Sequence, residues 1–152
     1  MRKVLQSIGL SFSLLLLCTP LNPLALTFEK LPVSKASQQW KVEIGEADKQ
    51  SGNVQGDTKE YKEYSLDIKN IGDKSIELER IEVYRNEPNS NTKFELLTDE
   101  RDDLKTVQSL HHGNIPVSLN ANRLEVIITW SKKVEQLKPN RKYQETFVFE
   151  TK

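Results

Sequence analysis

The segment YSLDIKNIGDKSIEL, residues 64–78, shows most directly how this chain folds. Its apolar residues Tyr64, Leu66 and Ile68 alternate with polar ones, and the alternation resumes at Ile76. An apolar residue at every second position is typical of a β-strand that buries one face. The intervening NIGDK contains Asn and Gly, which adopt the backbone angles of tight turns at little cost. The segment therefore predicts two strands joined by a short connection.

The same period of two recurs along much of the chain. Together with this segment it predicts seven strands, at residues 40–44, 64–68, 76–83, 94–96, 115–119, 124–130 and 143–149. The most regular of them, 124–130, is predicted to be central, and the polar segments 46–60 and 86–91 to be loops. Between Leu78 and Ile81 the apolar positions change parity, which predicts a β-bulge or a crossing between sheets. Short strands separated by turn residues predict an all-β chain folded as an antiparallel β-sandwich.

Residues 98–113 depart from the strand pattern. Thr98 can cap a helix, Asp99 begins an acidic first turn, and Gly113 stands at a typical stop position. These signals predict one short helix near 99–112. A charged crossover loop is the alternative interpretation.

The N-terminal segment 1–25 differs from the rest of the chain. Arg2 and Lys3 precede an apolar run at 4–17, and prolines follow it. This pattern predicts a secretory signal peptide. An uncleaved membrane anchor is the alternative, although the run is shorter than the roughly 20 residues of a comfortable membrane span. A lipid-modified Cys18 is disfavoured because a leucine directly precedes it.

Charge and cysteine content exclude several classes of protein. The 152 residues carry 22 Lys and Arg against 22 Asp and Glu, so the formal net charge is zero. That balance excludes the basic footprint of a dedicated nucleic-acid binder. The single Cys lies within 1–25, so the rest of the chain has neither a disulfide nor a cysteine-rich metal site. Residues 26–37 are predicted to be an extended lead-in or spacer, and residues 38–152 to form one sandwich domain.

Two segments carry a resemblance to a known family. Residues 64–78 resemble the paired early strands of bacterial extracytoplasmic immunoglobulin-like domains, in which a strand ending in Asn-x-Gly-Asp turns into the next strand. Residues 141–150 are similar to the last strand of those domains, which follows a turn that contains proline. The resemblance implies an immunoglobulin-like sandwich and no particular activity, because this fold carries many functions. The cysteine pair that joins the sheets of antibody domains is absent.

Histidine and aspartate residues are the candidates for a metal site. His111 and His112 are adjacent, and adjacent residues of a strand or helix point in different directions, so one ion would rarely bind both. Asp99, Asp102 and Asp103 form an acidic cluster, but their spacing does not follow that of a calcium loop. The sequence therefore predicts no metal site and no cofactor. Polar residues at the ends of a solvated helix are the favoured interpretation of both clusters.

Catalytic patterns are missing as well. The sequence has no Gly-x-Ser-x-Gly elbow and no glycine-rich phosphate loop, and the single cysteine precedes the predicted domain. The chain is therefore predicted not to be an enzyme. The candidates for exposed contacts are aromatic residues outside the clearest strand registers and basic residues near the C-terminus: Tyr61, Tyr84, Lys132, Lys133 and Arg141.

These observations predict an exported, non-enzymatic β-sandwich that acts as a binding or accessory module, secreted or held at the cell envelope. Its partner would be a protein or an envelope component and not nucleic acid, and it would touch a membrane only through residues 1–25 if they stay attached. Two other functions remain open. One is a secreted protease inhibitor that presents the loops at 46–60 and 86–91, and the other is a metal-binding extracytoplasmic domain.

Overall fold

The computed structural model describes residues 28, 30–48, 59–132 and 141–150. Within those residues the chain forms eight strands and a short 3₁₀-helix, Asp102–Thr106, which lies between the fifth and sixth strands. The strands are β1 Val33–Ala36, β2 Trp40–Glu46, β3 Tyr61–Asn70, β4 Ile76–Asn86, β5 Lys93–Asp99, β6 Ser109–Ser118, β7 Arg123–Lys132 and β8 Lys142–Glu150.

The strands form two four-stranded sheets, in which all neighbouring strands are antiparallel. The first sheet has the order β1-β2-β3-β6, and the second has the order β5-β4-β7-β8. The predicted all-β sandwich is therefore confirmed. The structure has one more strand than predicted, because residues 33–36 of the expected lead-in pair with β2 as the edge strand β1.

Alternating burial along each strand forms the core between the sheets. On β2, Trp40, Val42 and Ile44 are buried while the residues between them are partly exposed. β7 lies between β4 and β8, which confirms the central position predicted for it. The indole rings of Trp40 and Trp130 meet edge to face, with ring centroids 5.9 Å apart, and so join the two sheets at one end of the core.

The change of parity on β4 is a β-bulge. Leu78 pairs with Trp130 and Arg80 pairs with Thr129, so Glu79 has no partner of its own on β7. An extra residue on one strand moves the following side chains to the opposite face, and Ile81 consequently points into the core. The predicted bulge is confirmed at this position.

β3 and β4 lie in different sheets, so the connection between them crosses from one sheet to the other. The pairing of these two strands that the family resemblance implies is therefore wrong, whereas the predicted short connection between them is present. Local sequence predicts a turn after Asn70 correctly, but the partner of a strand is decided by the sheet that buries its apolar face. Both strands have such a face, and each is buried against the other sheet.

The side chain of Asn70, which is only 1% exposed, holds this connection. Its Nδ2 donates to the carbonyl of Asp73 at 2.9 Å and to Oε1 of Gln108 at 2.8 Å. Its Oδ1 accepts from Nε2 of Gln39 at 2.6 Å and from the N–H of Gly72 at 3.0 Å. A Cβ at residue 72 would lie 2.7 Å from a backbone carbonyl oxygen of the β1–β2 turn, so the position requires glycine.

The helix predicted near 99–112 is wrong over most of that range. Asp99 is the last residue of β5, and only residues 102–106 are helical. Residues 109–112 belong to β6 and pair with 66–69 of β3. Caps and acidic residues are local signals, and the pairing of a whole strand with β3 outweighs them. The fully buried Leu104 anchors the short helix against the core.

No helix in the described part of the chain is both long enough and apolar enough to cross a membrane.

Candidate functional site

A charged groove lies on the outer face of the second sheet. Its volume is about 610 Å³. β4, β7 and β8 form its floor, and residues 100–105 form its wall. All lining residues except Thr129 and Gln144 are charged: Glu77, Glu79, Arg80, Glu82, Glu100, Arg101, Asp102, Lys105 and Lys142.

Arg80 connects the floor of this groove to its wall. Its Nη2 lies 3.2 Å from Oε1 of Glu82 on the same strand, and its Nη1 lies 3.6 Å from Oε2 of Glu100. Its Nε is buried and has no hydrogen-bond partner among the described residues. The side chain as a whole is 42% exposed, so Arg80 presents its positive charge to the groove.

The wall of the groove is held by Asp99 and Arg101. Nε and Nη2 of Arg101 donate to the two carboxylate oxygens of Asp99, each at 2.9 Å. These hydrogen bonds hold the pKa of the Asp99 carboxyl below its usual value. Asp99 is buried, whereas the Arg101 side chain is 62% exposed. The Asp99 carboxylate is therefore buried in the sandwich, and the guanidinium that it binds is exposed at the groove.

The far end of the groove contains a second ion pair, between Lys142 of β8 and Glu79 at the bulge. Burial opposes the ionisation of Glu79, but hydrogen bonding, chiefly from Lys142, outweighs it and holds the pKa of this carboxyl below its usual value. The Glu79 carboxyl is therefore ionised at neutral pH.

His111 forms a separate cluster on the outer face of the first sheet. Its Nδ1 lies 2.8 Å from Oδ1 of Asp67 on β3, and its Nε2 lies 2.9 Å from Oδ2 of Asp48. Asp48 also donates its backbone N–H to the carbonyl of Gly113 at 2.9 Å. A Cβ at residue 113 would lie 2.6 Å from Oδ2 of Asp48, so glycine permits this approach. The absence of a side chain at Gly113 therefore leaves room for the Asp48 carboxylate. Gly113 lies within β6 and does not end a helix, contrary to the prediction from sequence.

The geometry of this cluster favours the protonated ring of His111. A neutral imidazole has one N–H donor, whereas both ring nitrogens here face a carboxylate oxygen. The hydrogen bonds to Asp48 and Asp67 accordingly raise the pKa of His111 above its usual value.

His112 points the opposite way, toward the interior beside Asp99 and Arg101. Its Nε2 is buried and has no hydrogen-bond partner in the described residues. Burial lowers the pKa of His112 below its usual value. The carboxylate of Asp99 opposes this shift of the pKa, and the guanidinium of Arg101 adds to it. The two histidines therefore favour opposite protonation states.

We expect the two histidines to shift the pH dependence of stability in opposite directions. The stabilisation from protonated His111 is present below pH 6.5 and is lost as the pH rises through its raised pKa. The stabilisation from neutral His112 is present above pH 6.5 and is lost as the pH falls through its lowered pKa. Melting temperatures measured between about pH 5 and 8 test this. His111→Gln should lower the melting temperature more at low pH, and His112→Gln should lower it more at high pH. Decreases in melting temperature that do not change with pH would contradict both assignments.

The candidate metal ligands do not come together. Asp102 and Asp103 are highly exposed on the 3₁₀-helix, and Asp99 is occupied by Arg101. Across the described ranges, no group of three or more His, Cys, Asp or Glu side chains is placed to hold a metal ion.

The candidate contact residues are spread over the molecule. Tyr61 begins β3 in the first sheet and is 40% exposed. Tyr84 is half-buried on β4 and donates its hydroxyl to Glu82 at 2.7 Å, which raises the pKa of Tyr84 to about 12. Lys132 and Arg141 are exposed, with Nζ of Lys132 5.8 Å from the ring centroid of Tyr143. Lys133 and most of the predicted loop at 46–60 lie outside the described residues.

Sequence reasoning missed the residues that build the groove, although a signal for them exists. Opposite charges two positions apart recur along the strands, and residues at that spacing point to the same face. The ion pairs with this spacing are Lys41–Glu43, Arg80–Glu82, Arg85–Glu87, Asp99–Arg101 and Arg123–Glu125. The partners of His111 have no such signal, because Asp48 and Asp67 are distant in sequence.

The similarity of this chain to known proteins extends over most of its length and is not confined to the groove. The family model described as YozF-like secreted protein matches residues 24–152. The chain is similar to a protein of Bacillus subtilis (strain 168) that carries the name "Uncharacterized protein YozF", with 34% identity over 140 residues, which is 82% of each chain. No solved structure matches the chain.

Proposed function

This chain belongs to the YozF-like secreted protein family, and we propose that it acts outside the cell as a non-enzymatic binding module. The proposed binding surface is the charged groove on the outer face of the second sheet. The observation that carries the proposal is the charged lining of this groove, in which the 42% exposed side chain of Arg80 connects the floor to the wall. The proposed partner is another extracellular protein.

The charges of the groove favour a protein over an anionic wall polymer. Acidic residues from β4 and the wall alternate with Arg80, Arg101, Lys105 and Lys142, so both signs of charge line one surface. A polymer with one sign of charge would be repelled by part of this lining, whereas a protein surface can offer both signs. Complementary charges of this kind determine which partner binds and how fast it associates.

Two further observations support the proposal. In the described part of the chain, both ring nitrogens of His111 face carboxylates and the buried Nε2 of His112 has no hydrogen-bond partner, so neither is seen in the arrangement of a histidine that activates a serine or threonine. The strand order β2-β3-β6 against β5-β4-β7-β8 has the crossings between sheets expected for an immunoglobulin-like sandwich. This order supports the proposed immunoglobulin-like architecture, a fold that carries many different functions.

A charge reversal in the groove tests the proposed function. The secreted protein would be immobilised and exposed to the surface proteins of the organism that exports it, and the retained proteins would be quantified by mass spectrometry. Lys105→Glu changes an exposed lining residue of the groove, and Lys69→Glu makes the same change on the first sheet. We expect Lys105→Glu to reduce recovery of the specific partner at least about tenfold, and Lys69→Glu to leave it unchanged. Equal recovery with both variants, or no protein above background, would contradict the proposal.

A further inference from the structure

The four edge strands of the sandwich differ in how they are protected against pairing with another chain. An edge strand presents unpaired backbone N–H and C=O groups, and short length, bulges and prolines normally block them. β1 has only four residues. β5 has a bulge opposite Val83 and Tyr84, and β6 has a bulge together with Pro116. Three of the four edges are therefore short or irregular.

β8 has none of these three features. Its nine residues pair with β7 in unbroken register, from Lys142 opposite Ser131 to Glu150 opposite Arg123. It contains neither proline nor glycine. Of the strands that the structure describes, none is hydrogen-bonded to its outer edge. β8 is thus a long, regular edge that is open to an added strand.

We propose that the occupant of this edge is β8 of a second copy of the chain, antiparallel and related by a two-fold axis at Thr146. This register places opposite charges across from each other at both ends of the strand pair. The facing pairs are Lys142 with Glu150, Tyr143 with Phe149, Gln144 with Val148, Glu145 with Phe147, and Thr146 with Thr146.

Charge complementarity selects this register. Within one copy Lys142 is ion-paired with Glu79, and Oε1 of Glu150 lies 3.7 Å from Nε of Arg123. The two side chains are nevertheless 68% and 60% exposed, so both are accessible at the two ends of the strand. The two-fold axis forms two such ion pairs, one at each end of the strand pair. Opposite charges directly across an antiparallel pair are stabilising. Moving the axis by one residue to Glu145 would place two carboxylates opposite each other.

The consequence of this pairing is one continuous eight-stranded sheet shared by two copies. A two-fold axis at the centre of an antiparallel strand pair is perpendicular to the sheet, so the same faces of both copies lie on the same side. The charged grooves of the two copies would consequently open in the same direction.

An introduced cysteine tests the register directly, because Cys18 is the sole natural thiol of the chain. In a Cys18→Ser background, Thr146→Cys places two thiols opposite each other, at Cα separations of about 4.5–5.5 Å that suit a disulfide. Gln144→Cys is the matched control, since its two copies would lie about 13 Å apart along the strands. Mild oxidation should convert most of the Thr146→Cys protein, and little of the Gln144→Cys protein, into a disulfide-linked dimer.

Charge exchange tests the ion pairs without a covalent bond. By sedimentation equilibrium, Lys142→Glu and Glu150→Lys should each weaken the dimer roughly tenfold or more, because each places like charges opposite one another. The double variant should regain most of the affinity. Glu95→Lys on β5, the other edge of the same sheet, makes the same charge change as Glu150→Lys and should have no effect.

Three results would overturn the proposal. The first is a monomer at all concentrations up to about 100 μM. The second is equal cross-linking of the Thr146→Cys and Gln144→Cys proteins. The third is a dimer whose affinity the single charge reversals do not change. Circular dichroism of each variant shows whether it is folded before the result is used.

Discussion

Replacing Val126 by aspartate should lower the free energy of unfolding by about 4–5 kcal/mol, a large share of the roughly 5–15 kcal/mol that stabilises a typical domain. Val126 is fully buried on the central strand β7, where it pairs with Val83 on one side and Phe147 on the other. A carboxylate there would lie in the apolar core without a partner. Urea unfolding of the secreted protein, followed by circular dichroism, measures the change.

The neighbouring residue provides the control for this prediction. Ile127 lies on the same strand, but its side chain is on the outer face of the second sheet and is only half-buried. We expect Ile127→Asp to cost roughly 1 kcal/mol. If both variants were equally stable, Val126 would not lie in the core and the assigned register of β7 would be wrong.

Replacing Asn70 by alanine should lower the free energy of unfolding by about 2–4 kcal/mol. The substitution removes four hydrogen bonds made by a buried side chain, and the half-buried amides of Gln39 and Gln108 and the N–H of Gly72 lose this partner. Unsatisfied buried groups cost more than the hydrogen bonds themselves contribute. The same denaturant titration measures the change.

An exposed asparagine serves as the control for Asn70. Asn122 lies in the turn between β6 and β7 and is exposed, so Asn122→Ala should change stability by less than about 0.5 kcal/mol. A similarly small effect of Asn70→Ala would show that the β3–β4 connection does not depend on this side chain.

The strands were predictable from sequence because each one buries one face. Trp40, Val42 and Ile44 show the period of two that burial against another sheet requires, and the bulge at Glu79 was visible as a change in that period. Only a local pattern is needed for these inferences. The 3₁₀-helix was overestimated for the same reason, since Asp99 and Gly113 look locally like the ends of a helix.

The candidate site was much less predictable than the strands. The sequence drew attention to His111 and His112 as neighbours, but the partners of His111 come from β3 and from the residue two positions after β2. Nothing in the spacing of Asp48, Asp67 and His111 indicates that they meet. The groove likewise combines β4, β8 and the segment before β6, which are brought together only when the second sheet forms.

The sequence by itself determined that the chain is an all-β sandwich, where most of its strands lie and that it carries an export signature. Those properties depend on side-chain periodicity and composition within a few residues. Only the tertiary structure decided that β3 and β4 belong to different sheets, that His111 lies between two carboxylates, and that β8 is a regular open edge. Strand partners are chosen by the burial of whole faces and by contacts between distant segments, and a local pattern does not contain that information.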